Sequence, residues 1–327
     1  MGYCLKILEK DKFETLDLNG NQIEGKLPRS LSNCRDLELI DVGNNQMADS
    51  FPSWLGVLPQ LQVLVLRSNQ FNGTIRDNKG DNHSRNHFSC LQILDLSSNN
   101  FSGYLPTGWF NELKAMMTDV NDEGQVIGHQ TNLPNGFYRD IVTVTFKGFG
   151  LTFSKILTTF KVIDFSNNSF YGPVPESIGR LVSLHGLNMS HNNFTGEIPS
   201  DFGNLSQLES LELSWNRISG KIPKELASLT SLEWLNLSYN NLSGRIPHGN
   251  QFLTFSNSSL KGNGGLCGLP LSKQCGSPGS NAVAPPESNS LWQDKLGIIL
   301  LFAFVGLGFG VGFALSCMLR LFCHQEG

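Results

Sequence analysis

The stretch Leu184 to Gln207, LHGLNMSHNNFTGEIPSDFGNLSQ, decides the fold, because it is 24 residues long and the chain repeats it. Leu208 to Ser231, LESLELSWNRISGKIPKELASLTS, follows the same template, and Leu232 begins it again with LEWLNLSYNNLSGRIP. The template reads L-x-x-L-x-L-x-x-N-x-φ-x-G-x-φ-P, with φ apolar. Its Asn falls at Asn21, Asn45, Asn69, Asn99, Asn168, Asn192, Asn216 and Asn240, in steps of 24, 24, 30, 69, 24, 24 and 24. Eight units with insertions of 6 and 45 residues account for every step. Self-similarity at such a period is the signature of a stacked repeat architecture.

Each template position has a physical task. The L-x-L core, for example Leu211 and Leu213, alternates with period two and predicts a short strand with one buried face. The residue between, here Glu212, faces outward. The Asn turns inward where the backbone bends away from the strand, and its amide bonds main-chain groups of neighbouring coils. A buried amide left unsatisfied costs about 1–3 kcal/mol, so the ladder favours one register. Gly220 with Pro223, and Gly244 with Pro247, shape the return turn. One coil cannot close a core alone, whereas stacked coils can.

Around this repeat, the 327 residues carry a net charge of −4, too mild to indicate nucleic acid or an acidic tail as a partner. The 34 Gly and 14 Pro suit a chain with many turns. The seven Cys show no CxxC or Cys/His spacing for zinc. Cys267 and Cys275 lie close together after the last repeat and imply an oxidising compartment, with a bridge worth about 2–3 kcal/mol for so short a loop. Ten N-glycosylation sequons agree with that compartment: Asn72, Asn82, Asn100, Asn167, Asn188, Asn193, Asn204, Asn236, Asn241 and Asn257.

Residues 1–12 have neither the apolar run of a signal peptide nor the Ser or Thr of a myristoylation site, and read as the remnant of a preceding repeat or cap. Eight repeats occupy 13–247. The polar run RDNKGDNHSRNH from Arg76 carries the six-residue excess as an exposed loop; His83 and His87 are four apart but lack a third ligand, so no metal is expected. The 45-residue excess fills about 115–159. There Ile141, Thr143 and Thr145 alternate with Val142, Val144 and Phe146, which predicts a strand, and the insertion reads as a ligand-contacting element. On the outward strand face, Asp17, Asp41, Val65, Asp95, Asp164, Asn188, Glu212 and Asn236 form a mostly acidic column. His191, Trp215 and Tyr239 precede the ladder Asn of repeats 6 to 8 and, with Trp234, are candidate partner anchors. A cap at 248–275 and a flexible linker at 276–295 lead to 24 uncharged residues, 296–319, about 36 Å of helix and enough to span a bilayer. Within them Gly306, Gly308, Gly310 and Gly312 give two GxxxG frames for a helix–helix contact. The remaining residues, 320–327, are a short cytoplasmic tail that cannot fold into an enzyme. The fold class is a β-rich leucine-rich-repeat solenoid with short parallel strands and 3-10 turns, plus one transmembrane helix.

The insertion's VTVTFKG, the following KILTTFKVIDFSNNSFYGPVPESIG and the QFLTF…GNGGLCGLPL cap resemble the plant leucine-rich-repeat receptor-like proteins, and the resemblance covers nearly everything from Phe13 onward. It implies a right-handed, curved solenoid whose insertion is an island, a single-pass type I plasma-membrane protein with extracellular repeats, and no kinase domain or cofactor. It further implies an extracellular peptide, protein or pathogen-derived ligand, contacted by Tyr138, Lys147 and Gly148 with Asp164 of the acidic column. A receptor-like kinase adaptor would pair through Gly306 to Gly312, and a co-receptor kinase would dock near His191, Trp215, Trp234 and Tyr239. The family pattern also includes a signal peptide, an amino-terminal cap and earlier repeats, so the expectation is a truncated member. A remnant without ligand binding and an enzyme-inhibitor-type repeat module are the alternatives.

Overall fold

The computed structural model describes residues 14–75, 88–118, 141–154, 156–249 and 251–276, and the backbone of three short strands at Val126–Ile127, Asn132–Leu133 and Gly136–Phe137. Every L-x-L core becomes a three-residue strand: β1 (Thr15–Asp17), β2 (Leu39–Asp41), β3 (Val63–Val65) and β4 (Ile93–Asp95). An antiparallel hairpin follows, β5 (Val142–Phe146) and β6 (Phe149–Phe153). The repeats then resume with β7 (Val162–Asp164), β8 (Gly186–Asn188), β9 (Ser210–Glu212) and β10 (Trp234–Asn236). The eight repeat strands form one parallel sheet in chain order, with β4 beside β7 across the insertion.

On the return side, five-residue 3-10 helices start directly after Pro28, Pro52, Pro175, Pro199 and Pro223. The missing Pro N–H costs nothing there, and 3-10 turns do not propagate far, so each coil turns back quickly. One apolar core runs from Leu27 to Leu266. Its middle is a spine of stacked rings, Phe71, Phe101, Phe170 and Phe194, with centroids 6.1, 6.1 and 6.3 Å apart. Each sits two residues after a ladder Asn.

The Asn ladder is regular. Asn45 Nδ2 lies 3.0 Å from Leu18 O of the preceding coil, and 3.0 and 2.9 Å from Val42 O and Gly43 O of its own. Its Oδ1 accepts from Ile23 N at 3.0 Å. The two bonds to the preceding coil span 27 and 22 residues. At Asn99 they span 33 and 28, and at Asn168 they span 72 and 67. Both insertions therefore leave the ladder without a missing rung. The reading from sequence ended the period at Pro247, but the structure adds a rung: Asn263 Nδ2 donates to Leu237 O at 2.9 Å and Oδ1 accepts from Leu242 N at 3.0 Å. Gly265–Cys267 then pairs beside Asn241–Arg245 and covers the end of the core.

The open acidic column expected on the strand face is corrected by the hairpin. Val142, Val144 and Phe146 pack on Leu39, Val63, Val65, Ile93 and Val162 as a second apolar core. Asp41, Asp95 and Asp164 are buried beneath it. Among the described residues no helix is long and apolar enough to cross a membrane. The expected span 296–319, its linker and tail, residues 1–12 and the loop from Arg76 lie outside the described residues.

The ladder sets an expected outcome for Asn216→Ala. Asn216 accepts from Phe194 N and donates toward Met189 O, Leu213 O and Ser214 O. Its loss should lower unfolding stability by about 2–4 kcal/mol in chemical denaturation. An unaltered transition would contradict the inward amide.

Candidate functional site

The hairpin's path follows the outward residue that opens each repeat strand. That column reads Thr15, Leu39, Val63, Ile93, Val162, Gly186, Ser210, Trp234. Apolar side chains carry the hairpin's body. At Gly186 the column empties, and Phe146 fills the space; a Cβ there would sit 3.0 Å from its ring. Ser210 Oγ then accepts from Lys147 N at 3.2 Å. Trp234 ends the column under the turn, and a Cβ on Gly148, whose φ is +77°, would meet the indole at 2.7 Å. Phe149, beyond the turn, stands edge-on to Trp234 at 6.2 Å. The turn's Lys147 reaches two carboxylates, Glu209 at 2.7 Å and Glu233 at 2.5 Å.

A second cluster stands on the segments that follow β8, β9 and β10. His191, Trp215 and Tyr239 stack in a column, with centroids 5.6 and 4.1 Å apart and planes within 13° and 20°. The repeat places the residue before each ladder Asn in left-handed backbone, with φ of +53°, +54° and +53° at these three. Bulky residues are uncommon there. Stacking along the column offsets that preference and leaves ring edges rather than faces to solvent. Trp215 is 50 % exposed and Tyr239 37 %. Gly262 closes the column at the cap end, its backbone so near that a Cβ would meet Tyr239 at 2.7 Å. A groove of about 820 Å³ lies elsewhere, on the proline side, lined by Tyr104, Pro175, Pro199, Glu197 and Glu225 among others.

The predicted ligand set divides. Lys147 and Gly148 lie together at the tip, and Tyr138 lies outside the described residues. Asp164 is fully buried and cannot touch a ligand in this arrangement, a correction to its expected role. It accepts from Ser166 N at 2.8 Å and Asn188 Nδ2 at 3.2 Å, and pairs in register with Asp95. Burial and the Asp95 charge raise its carboxyl to about 7. Asp95 is also raised by burial, against Arg67, whose Nη1 is 3.9 Å away. Burial likewise lifts Glu212 to about 7; it faces Asn236 and Trp234, yet its Oε1 and the Trp234 Nε1 are both buried outside hydrogen-bond geometry.

Of the sequon residues, Asn72, Asn100, Asn167, Asn204, Asn241 and Asn257 are exposed and Asn193 half-buried. Asn188 and Asn236 end their strands and are half-buried, their Oδ1 atoms accepting from Ser190 N and Ser238 N. Asn82 and Gly306, Gly308, Gly310 and Gly312 lie outside the described residues. Cys267 and Cys275 are joined, with Cα atoms 5.0 Å apart.

Leucine-rich-repeat family models match residues 199–242, 12–34, 90–111, 159–181 and 183–205. "Receptor-like protein 34" of Arabidopsis thaliana is 50 % identical over 310 residues, 93 % of this chain and 31 % of that protein. The chain belongs to the leucine-rich-repeat receptor-like proteins. "Receptor like protein 27" of the same plant is 48 % identical over 305 residues, 93 % of this chain and 36 % of that protein. The chain thus spans about a third of the length of these relatives. Among solved structures, the Arabidopsis receptor kinase HAESA, in complex with the peptide hormone IDA and the co-receptor SERK1, aligns over 78 % of this chain and 38 % of that one, with 27 % identity and a TM-score of 0.53.

The insertion that this receptor-like protein folds over its own sheet should make stability depend on pH. Asp164 titrates near 7 when folded, against about 3.9 in an unfolded chain. The folded state therefore binds the extra proton between those values, and this contribution to stability is lost as pH rises from about 4 to 7. Asp164→Asn should flatten that part of the profile in denaturation series from pH 4 to 8. A wild-type profile kept intact by the variant would refute the assignment.

Proposed function

We propose that the chain is the membrane-proximal part of a non-enzymatic cell-surface receptor. It senses an extracellular peptide, protein or pathogen-derived signal and hands it to partner kinases. The observation that carries this reading is the exposed, pre-stacked column His191–Trp215–Tyr239, in a chain half identical to a receptor-like protein. A rigid aromatic rib loses little entropy on binding, which suits it to a protein partner. HAESA, which shares the fold, was solved with both a peptide hormone and a co-receptor, and this supports two occupants for the strand face and its rim. In this reading the tip at Lys147 and Gly148, with Tyr138 of the same insertion, contacts the ligand, and the column contacts a co-receptor kinase. An apolar segment at 296–319, with Gly306 to Gly312 against a receptor-like kinase adaptor, holds the protein in the plasma membrane with its repeats outside. N-glycans on the exposed sequons suit the same orientation.

The double variant Trp215→Ala/Tyr239→Ala tests the column. Capture of a co-receptor ectodomain of the somatic-embryogenesis type by the full chain should weaken at least tenfold, while the thermal transition moves by only a few degrees. Capture at wild-type strength by a folded double variant would remove the column from the interface.

A further inference from the structure

The hairpin turn is built from an unfavourable residue. Phe146 pairs with Phe149, so only Lys147 and Gly148 form the turn, and both have positive φ, +51° and +77°. Two-residue turns of this kind favour Asn-Gly or Asp-Gly. A Lys in the first position is held there by what its side chain does, since strained backbone persists where the surroundings impose it. Its ammonium bridges Glu209 and Glu233, carboxylates of two successive repeats. Burial alone would lower its pKa, but the two carboxylates outweigh that and hold it raised. The remaining anchors of the tip are slight: one bond from Lys147 N to Ser210 Oγ, and Gly148 with Phe149 against Trp234. The ion contacts are partly open to solvent, with Glu233 67 % exposed. Such contacts are individually weak and screened by salt. The body of the hairpin, by contrast, is seated on a buried apolar core.

We propose that the insertion's tip is a releasable clasp: Lys147 bridges Glu209 and Glu233 and closes the insertion over Trp234, and a cationic peptide segment that takes the place of Lys147 on the two carboxylates opens it. Charge complementarity names the occupant's class, because the chain's own ammonium already sits there between two carboxylates. An acidic segment would be repelled. Opening moves only the tip, since β5 and β6 keep their apolar seat, and it uncovers the Trp234 indole, whose buried Nε1 faces the Glu212 carboxyl while the clasp is closed. The proposal deepens the receptor reading by naming the chemistry of a ligand for the tip.

The test uses the full chain and a blocked peptide copying the tip, acetyl-Phe-Lys-Gly-Phe-amide, with acetyl-Phe-Glu-Gly-Phe-amide as its acidic control, in titration calorimetry at low salt. Lys147→Asn suits the turn and removes the cation, so it should bind the lysine peptide about tenfold more tightly than wild type, because the closed form no longer competes. Lys147→Arg should stay closed and bind like wild type. The triple variant Lys147→Asn/Glu209→Gln/Glu233→Gln should lose the peptide. Amide exchange at Val144 and Leu151, partners in the hairpin register, checks that β5 and β6 persist. Independently, Glu209→Gln/Glu233→Gln leaves the hairpin sequence intact and should speed exchange of the Lys147 amide about tenfold. Equal peptide binding by wild type and Lys147→Asn, binding of the acidic peptide as strongly as the basic one, or unchanged exchange in the double Gln variant would overturn the clasp. None of these outcomes bears on co-receptor capture at the aromatic column, so the receptor reading and the clasp fail separately.

Discussion

Everything in this molecule rests on the inward Asn amide of each coil. A three-residue strand holds no register by itself, and leucine packing tolerates sliding. The amide does not, because its Oδ1 and Nδ2 must meet one particular N–H and one particular C=O of the coil before. From Asn45 onward these amides are buried or half-buried, so the bonds are expensive to lose. With that register imposed, the Phe rings two residues on stack as a spine and the outward residues align as columns. The candidate site is a consequence of those columns: three aromatic side chains become neighbours only because the same backbone position recurs one strand spacing away.

The columns also explain how the insertion finds its place. Where the opening outward position is Leu, Val or Ile, the hairpin body lies down and buries apolar surface. Where the position shrinks to Gly186 and Ser210, the hairpin descends, and where it becomes Trp234, the turn stops. The same sheet face is therefore part core and part surface, with the boundary near β8. Under the covered half, Asp95 and Asp164 sit on adjacent strands, with Arg67 the cation beside Asp95. Under the other half, Glu209 and Glu233 stay half open and engage a lysine.

Most of the architecture could be read from spacing alone. The strands, the ladder and the sizes of both insertions followed from where Asn recurs, since period and side-chain direction are rigidly linked in a stack. The alternation at Val142, Val144 and Phe146 likewise announced a strand with one buried face. What escaped was the partner of that face. The column through Asp41, Asp95 and Asp164 was read as solvent-facing, whereas Leu39, Val63, Ile93 and Val162 beside it carried the opposite message: four apolar side chains on a supposedly wet face imply a cover. The ninth rung, Asn263, escaped because the cap steps 23 residues after Asn240 and lacks the leucine pattern around it. Gly148 and Trp234 were each singled out, yet their contact joins residues 86 apart in the chain, which local pattern does not encode.

The continuity of the ladder across the long excursion has a wider consequence. Asn168 bonds the coil of Leu96 as though the intervening residues did not exist. The excursion leaves and re-enters at a single seam, so the solenoid is indifferent to its length. Sequence drift, exchange between homologous genes, or a deliberate graft can therefore remodel the ornament without retuning the scaffold, provided the replacement offers an apolar underside to the same four strands.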